Sequence, residues 1–191
     1  MSLFVMDVAV WLPDKPVMAI VGQSIGSQEY KRGRPFIGPA GQEARGWLRV
    51  VGLDPDVDVM YTNVIMAYKP TQPNYKPTTK EIKLARPRIE GELSLAPTLR
   101  TVVLLGGPAC HMVFSGTVME MHGRRGEWAG LPVFACAHPS WVIRSLSPSV
   151  RSQRQNMCLA VMAEAAQVAR GGTTGSYYLP EVCEVMEVEI T

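Results

Sequence analysis

The chain is poor in the residues that build covalent or metal-held scaffolds. Among its 191 residues it has four cysteines, Cys110, Cys136, Cys158 and Cys183, and no CxxC pair. That spacing argues against a disulfide framework or a compact thiolate metal site and fits a reducing compartment. The three histidines also lack metal-site spacing. No run approaches the roughly 18 apolar residues that span a bilayer. The first residues, MSLFVMDVAVW, have no basic start and already hold Asp7, so no secretory signal is expected. The last 21 residues contain no Lys or Arg, yet hold Glu181, Glu184, Glu187 and Glu189. Without that tail, 19 basic residues face 13 acidic ones, a net charge of +6 against +2 for the whole chain. Such a body invites a polyanion, although an ordinary basic surface has the same weight on charge alone.

What is present is enough apolar material for one core. Apolar residues make up 47% of the chain and charged residues 19%, which is the balance of a folded domain. Residues 1–170 are expected to form it, with 171–191 as an acidic tail or a late edge strand. Four apolar runs read as strands: Val17–Val21, Val57–Tyr61, Thr101–Leu105 and Leu131–Ala135. Helices are expected over Gly41–Val51, Thr79–Leu95, Pro108–Phe114 and Gln153–Ala169, with Pro87 interrupting the second. Tyr68–Pro77 holds Pro70, Pro73 and Pro77 and reads as a loop. Unbroken apolar strands alternating with helices predict a mainly parallel, four-stranded sheet covered on both faces, a three-layer α/β sandwich. Such sheets bind ligands at the carboxyl ends of their strands. Four short signatures fall there: GQSIGS, TN, GG and AHPS.

The first signature opens the stretch GQSIGSQEYKRGRPFIG, with four glycines and three basic residues. It has neither the GxGxxG spacing of a dinucleotide site nor the GxxxxGK[ST] of a phosphate loop. A zinc deaminase signature is absent as well. Its glycines still permit backbone N–H groups to approach an anion or a carbonyl closely.

Five segments together carry a resemblance. GQSIGSQEYKRGRPFIGPAG resembles the motif GEAPGxxEDxxGxPFVGxAG of the uracil-DNA glycosylase superfamily in its family 4 form. YTNVIMAYKP is similar to that family's TNVVKCRP, and KEIKLARPRIEGEL to its EIxxCxPxLxxEI. TVVLLGGPA resembles IVxLGxxA, and VFACAHPSWVIR resembles the last motif, with its HPS. Order and spacing match from Val17 to Arg144, about two-thirds of the chain.

The resemblance implies roles. Phe36 matches the aromatic that stacks on a flipped base. Asn63 matches the amide that reads the uracil edge, for which it has both a donor and an acceptor. His138 matches the histidine near uracil O2, where a hydrogen bond stabilises the departing anion. Gln23 and Ser24 would surround the base and its water. The loop of Ser140, Trp141, Val142, Ile143 and Arg144 matches the segment that enters the duplex, as an apolar wedge with a phosphate-binding arginine. Arg125, with Arg124, Lys31, Arg32 and Arg34, would follow the phosphates or serve as ordinary surface charge. The implied partner is DNA, single-stranded or mismatched, bound by a monomer in the cytoplasm or another DNA-containing compartment, away from membranes.

Two departures stand out. Gln23 replaces the motif glutamate, and a glutamine cannot accept a proton as a carboxylate does. The cysteine positions of the family 4 iron–sulfur cluster carry Ala67 and Ala85, and the early CxxC is missing, so neither cluster nor other metal or cofactor is expected. Two readings follow: a glycosylase acting on uracil or a related modified pyrimidine through His138 and positioning, or a non-hydrolytic DNA- or base-binding protein using the same cleft.

Overall fold

The computed structural model describes residues 10–69, 71 and 75–172. The expected acidic tail or edge strand lies almost wholly outside these residues. The elements run β1 (Met18–Ser24), α1 (Ser27–Arg32), α2 (Pro39–Val50), β2 (Val59–Ile65), α3 (Thr79–Ser94), β3 (Thr101–Leu105), α4 (Gly107–Cys110), α5 (Val118–Met121), β4 (Arg125–Trp128), β5 (Leu131–Cys136), α6 (Pro139–Ile143) and α7 (Pro148–Ala169).

The strands form one sheet in the order β2-β1-β3-β5-β4. β2, β1, β3 and β5 are mutually parallel, and β4 pairs antiparallel with β5. Among the described residues the sheet therefore has five strands where the apolar runs predict four. The extra strand, RGEW, exposes its first three residues and buries only Trp128, so it carries no apolar run. It is made by its hairpin. Ala129 and Gly130 both take positive φ, 53° and 73°, as a two-residue turn matched to strand twist requires.

Side-chain alternation divides the core into two layers. Met18 and Ile20 of β1, with Val103 and Leu105 of β3, face one cluster with Trp47, Leu48, Val161 and Met162. Ala19, Val21, Val102 and Leu104 face the other, with Ile82, Ile89 and Leu93 of α3. Both faces of the central strands are thus dry, which is why they read as unbroken apolar runs.

Several boundaries differ from the expectation. β1 runs on to Ser24 and β2 to Ile65, so GQS and TN lie within strands. α3 passes through Pro87 without ending, secured at its start by a reciprocal cap between Thr78 and Glu81. α7 begins at Pro148, five residues before the expected Gln153, with Ser147 accepting from the Val150 N–H at its start. The Pro108–Phe114 helix is shorter, ending at Cys110. The segment SWVIR forms most of α6 instead of an open loop.

Candidate active site

Strand order places the four signatures side by side. Asn63 lies near the end of β2, Gly22 and Gln23 near the end of β1, Gly106 directly after β3, and His138 shortly after β5. Gly22 pairs with Asn63 across the two strands.

Gly22 is the floor of the first half. A Cβ there would collide with Asn63 Oδ1 and lie 2.7 Å from Phe36 Cζ. The amide and the ring therefore converge over bare backbone. Asn63 is 4% exposed and Phe36 is 9% exposed, so both sit beneath the surface. Phe36 rests on Tyr61, with ring centroids 4.9 Å apart. Its φ of 56° is unusual for a bulky residue. Glu29 holds that turn: its Oε1 accepts the Ile37 N–H at 3.1 Å and the Gly38 N–H at 2.6 Å. Gly41 must also lack a side chain, because a Cβ would strike the Phe36 backbone.

Arg88 of α3 fixes the other partner, and the sequence reading did not single it out. Its Nη2 donates to the carbonyls of Asn63, at 2.6 Å, and Val64, at 3.1 Å. Arg88 also pairs with Glu92, which accepts the Thr62 hydroxyl at 2.7 Å. β2 is a sheet edge, so these carbonyls need a donor from outside the ladder. The signal was in the motif helix, but a guanidinium at helical spacing from glutamate looks like a surface pair.

His138 supplies the second half. It packs on Gly106, whose φ is 86° and where a Cβ would lie 3.0 Å from that of His138. His138 also begins α6. Its Nδ1 accepts the Ser140 N–H at 3.2 Å, and the Ser140 hydroxyl lies 2.8 Å from the same nitrogen. Arg144 Nη2 donates to that hydroxyl oxygen at 3.0 Å. With Nδ1 accepting, the ring proton resides on Nε2, and Nε2 is the remaining donor. Burial, reinforced by the positive charge of Arg144, pushes the imidazole pKa down to about 4. His138 is neutral at pH 7.

Positions 23 and 24 of the first motif hold no carboxylate. Gln23 Nε2 donates to the Tyr75 carbonyl at 2.9 Å, leaving Oε1 as an acceptor. Ser24, the last residue of β1, is half-buried. Oε1 of Glu29 is engaged by the Ile37 and Gly38 N–H groups.

The segment expected to enter the duplex divides. Val142 is fully buried in the core, so it is not available as a wedge. Trp141 is half-buried under the guanidinium of Arg154, 4.6 Å from its ring centroid. Ile143 is also half-buried, and Arg144 is exposed. The exposed apolar tip is Leu146, wholly open between α6 and α7. Alternation within a helix hid this, because SWVIR read as a loop. Arg125 lies on the far edge strand and pairs with Glu164 at 2.6 Å. It is not brought together with Asn63 and His138.

The iron–sulfur site does not fit these residues. Ala85 is buried among apolar neighbours of α3, and Ala67 offers no ligand. Cys110 is a core thiol held near the Leu104 carbonyl, and burial pushes its pKa up to about 12. Among the described residues no three His, Cys, Asp or Glu side chains gather in a metal-holding group. Nor is any described helix long and apolar enough to cross a membrane.

Comparison with known proteins identifies the family. Residues 10–163 match the family model of the uracil DNA glycosylase superfamily. A type-4 uracil-DNA glycosylase of Pyrobaculum aerophilum is 30% identical over 151 residues, 71% of this chain and 71% of that protein. The type-4 enzyme of Thermotoga maritima is 28% identical over 141 residues, 70% of each chain. A DNA polymerase of Bacillus phage SP01 is 28% identical over 132 residues, 68% of this chain but 14% of the polymerase. The chain belongs to the uracil DNA glycosylase superfamily.

Proposed function

We propose that the chain is a DNA glycosylase that flips uracil, or a related modified pyrimidine, out of DNA and breaks its N-glycosidic bond. The observation that carries this reading is the neutral His138 with its Nδ1 occupied. Its Nε2–H is then a fixed donor for the base. As the bond from C1′ to uracil N1 breaks, the electron pair stays with the base and spreads to O2. A donor aimed at O2 strengthens as that charge develops. Asn63 reads the imide edge, its oxygen accepting N3–H and its nitrogen donating to O4. Phe36, backed by Tyr61, stacks on the ring. Water then adds to C1′, and its proton passes to solvent or to the departing base.

Gln23 Oε1 orients that water in this scheme without taking its proton. The reaction is therefore slow and runs on leaving-group stabilisation. DNA binding is salt-dependent and favours single strands or mismatches, where exposing a base costs less.

The second reading, a protein that binds DNA without hydrolysing it, is favoured by the carboxylate inventory: Gln23 and Ser24 are neutral, and Oε1 of Glu29 is engaged by backbone N–H groups. One experiment separates the two. Uracil-containing single strands and U·G duplexes are incubated with the protein, and free base is measured directly. Release that falls at least tenfold in both His138→Ala and Asn63→Asp supports the glycosylase. Intact DNA binding with no release supports the second reading. A faster Gln23→Glu variant identifies the missing carboxylate as the rate limit.

A further inference from the structure

Two departures from the motif meet in space. Tyr30 stands where the resembled first motif has aspartate, and Tyr68 where the second has arginine. The two rings stack, with centroids 4.9 Å apart and planes 28° from parallel. Where the two motif strings have an acidic and a basic residue, this chain has two tyrosines in contact.

The pair stands at the strand ends that build the candidate site. Tyr30 lies in α1, the first element after β1, and Tyr68 lies three residues past the end of β2. These are the strands that present Gly22 and Asn63. α1 therefore has two duties. Glu29 reaches back to the Phe36 turn, while the next residue, Tyr30, reaches across to Tyr68.

Both tyrosines are half-buried, neither sealed in the core nor fully open. Among the described residues neither hydroxyl has a hydrogen-bond partner, so no internal polar contact calls for tyrosine here. Lys31 and Arg32, the next two residues, are exposed and belong to none of the described ion pairs. Lys69 is different: its ammonium lies 3.2 Å from Glu81 Oε1 and 3.3 Å from the Tyr75 ring centroid, so it is occupied. A stacked aromatic pair, followed directly in the chain by two exposed cations outside the described ion pairs, is complementary to a polymer of flat rings and phosphates. Every base offers a π-face to such a surface, but only when it is not already stacked in a duplex.

We propose that the Tyr30–Tyr68 pair is a stacking platform for an unpaired base of single-stranded DNA, next to the base held by Phe36 and Asn63, with Lys31 and Arg32 on its phosphates. This rests on the DNA-directed reading of the site, but not on hydrolysis. The platform gives single strands a foothold that a duplex cannot use.

Binding is measured by fluorescence anisotropy with a labelled single strand and with the same sequence as a duplex, at several salt concentrations. Tyr30→Leu/Tyr68→Leu keeps apolar bulk and removes both rings. It is expected to weaken single-strand binding about five- to hundredfold and duplex binding less than about twofold, with an unchanged salt slope. Lys31→Gln/Arg32→Gln is expected to flatten the salt slope instead. Tyr30→Phe/Tyr68→Phe is expected to bind as wild type and guards against a folding artefact, since it keeps the stack. Equal losses on both DNA forms, or none on single strands, overturn the proposal. Wild-type protein that binds neither form overturns the DNA-directed reading itself, whereas binding without base release leaves the platform standing.

Discussion

Ser140 meets one nitrogen of His138 with two groups: its backbone N–H at 3.2 Å from Nδ1 and its hydroxyl at 2.8 Å. The hydroxyl is itself oriented, because Arg144 donates to its oxygen and leaves the hydroxyl proton to point at the ring. Ser140→Ala keeps the backbone bond and removes the side-chain one. Nitrogen-15 NMR is expected to show wild-type His138 wholly as the Nε2–H tautomer at pH 7, and the variant as a mixture. Base release is expected to fall about three- to tenfold, in line with one neutral hydrogen bond. A variant with the wild-type tautomer population would show that the backbone N–H alone sets the ring.

Arg144 also acts through its charge. Its removal is expected to raise the His138 pKa above about 4, because a cation no longer opposes the imidazolium. The value stays below the usual 6.5, since burial is the larger cause and remains. The sign for stability follows. Between pH 6.5 and 4 the unfolded chain binds a proton that folded His138 refuses, so stability falls as pH drops through that window. The pH-dependent loss is expected to be smaller in Arg144→Ala. Urea melts from pH 7 to 4, alongside NMR titration of the ring, check both signs.

The strands that were legible share one property: most of their side chains are buried. TVVLL, buried throughout, read directly as β3. β4 did not, because a hairpin turn holds it and only Trp128 is buried. The site divides in the same way. Three glycines of the matched strings, Gly22 and Gly41 of the first and Gly106 of the fourth, turn out to be spaces that Asn63, Phe36 and His138 or their backbone fill. Arg88 was not legible, because its acceptors are backbone carbonyls on an edge strand more than twenty residues away in sequence. Val142 read as a wedge because one apolar residue in a short helix and one in a loop look alike.

Arg88 gives the third prediction. Two carbonyls of β2 and the Glu92 carboxylate depend on its guanidinium. Arg88→Lys supplies a single ammonium in place of a planar fork and cannot meet all three. A loss of about 1–3 kcal/mol in urea unfolding is expected. Asn63 is then less well held, so the apparent affinity for uracil-containing single strands is expected to drop more than that for the same strands without uracil. Equal drops would confine Arg88 to folding.

Leu146 provides the last. It is fully exposed at the turn between α6 and α7, two residues beyond Arg144. A single exposed leucine is ordinary on a protein surface, so its removal is expected to change stability by less than about 0.5 kcal/mol. Its position matters only if the turn meets a base stack. An apolar side chain inserted at a base step offsets part of the few kcal/mol that unstacking costs. A single strand has little stacking left to open. Leu146→Ala is therefore expected to leave uracil release from single strands within about twofold and to slow release from a U·A duplex about tenfold or more. Val142→Ala, by contrast, opens a void in the core and is expected to lower stability by about 1–3 kcal/mol with no preference between the two substrates. An equal effect of Leu146→Ala on both substrates would remove it as the wedge, and a selective duplex defect in Val142→Ala would return that role to the segment first read from sequence.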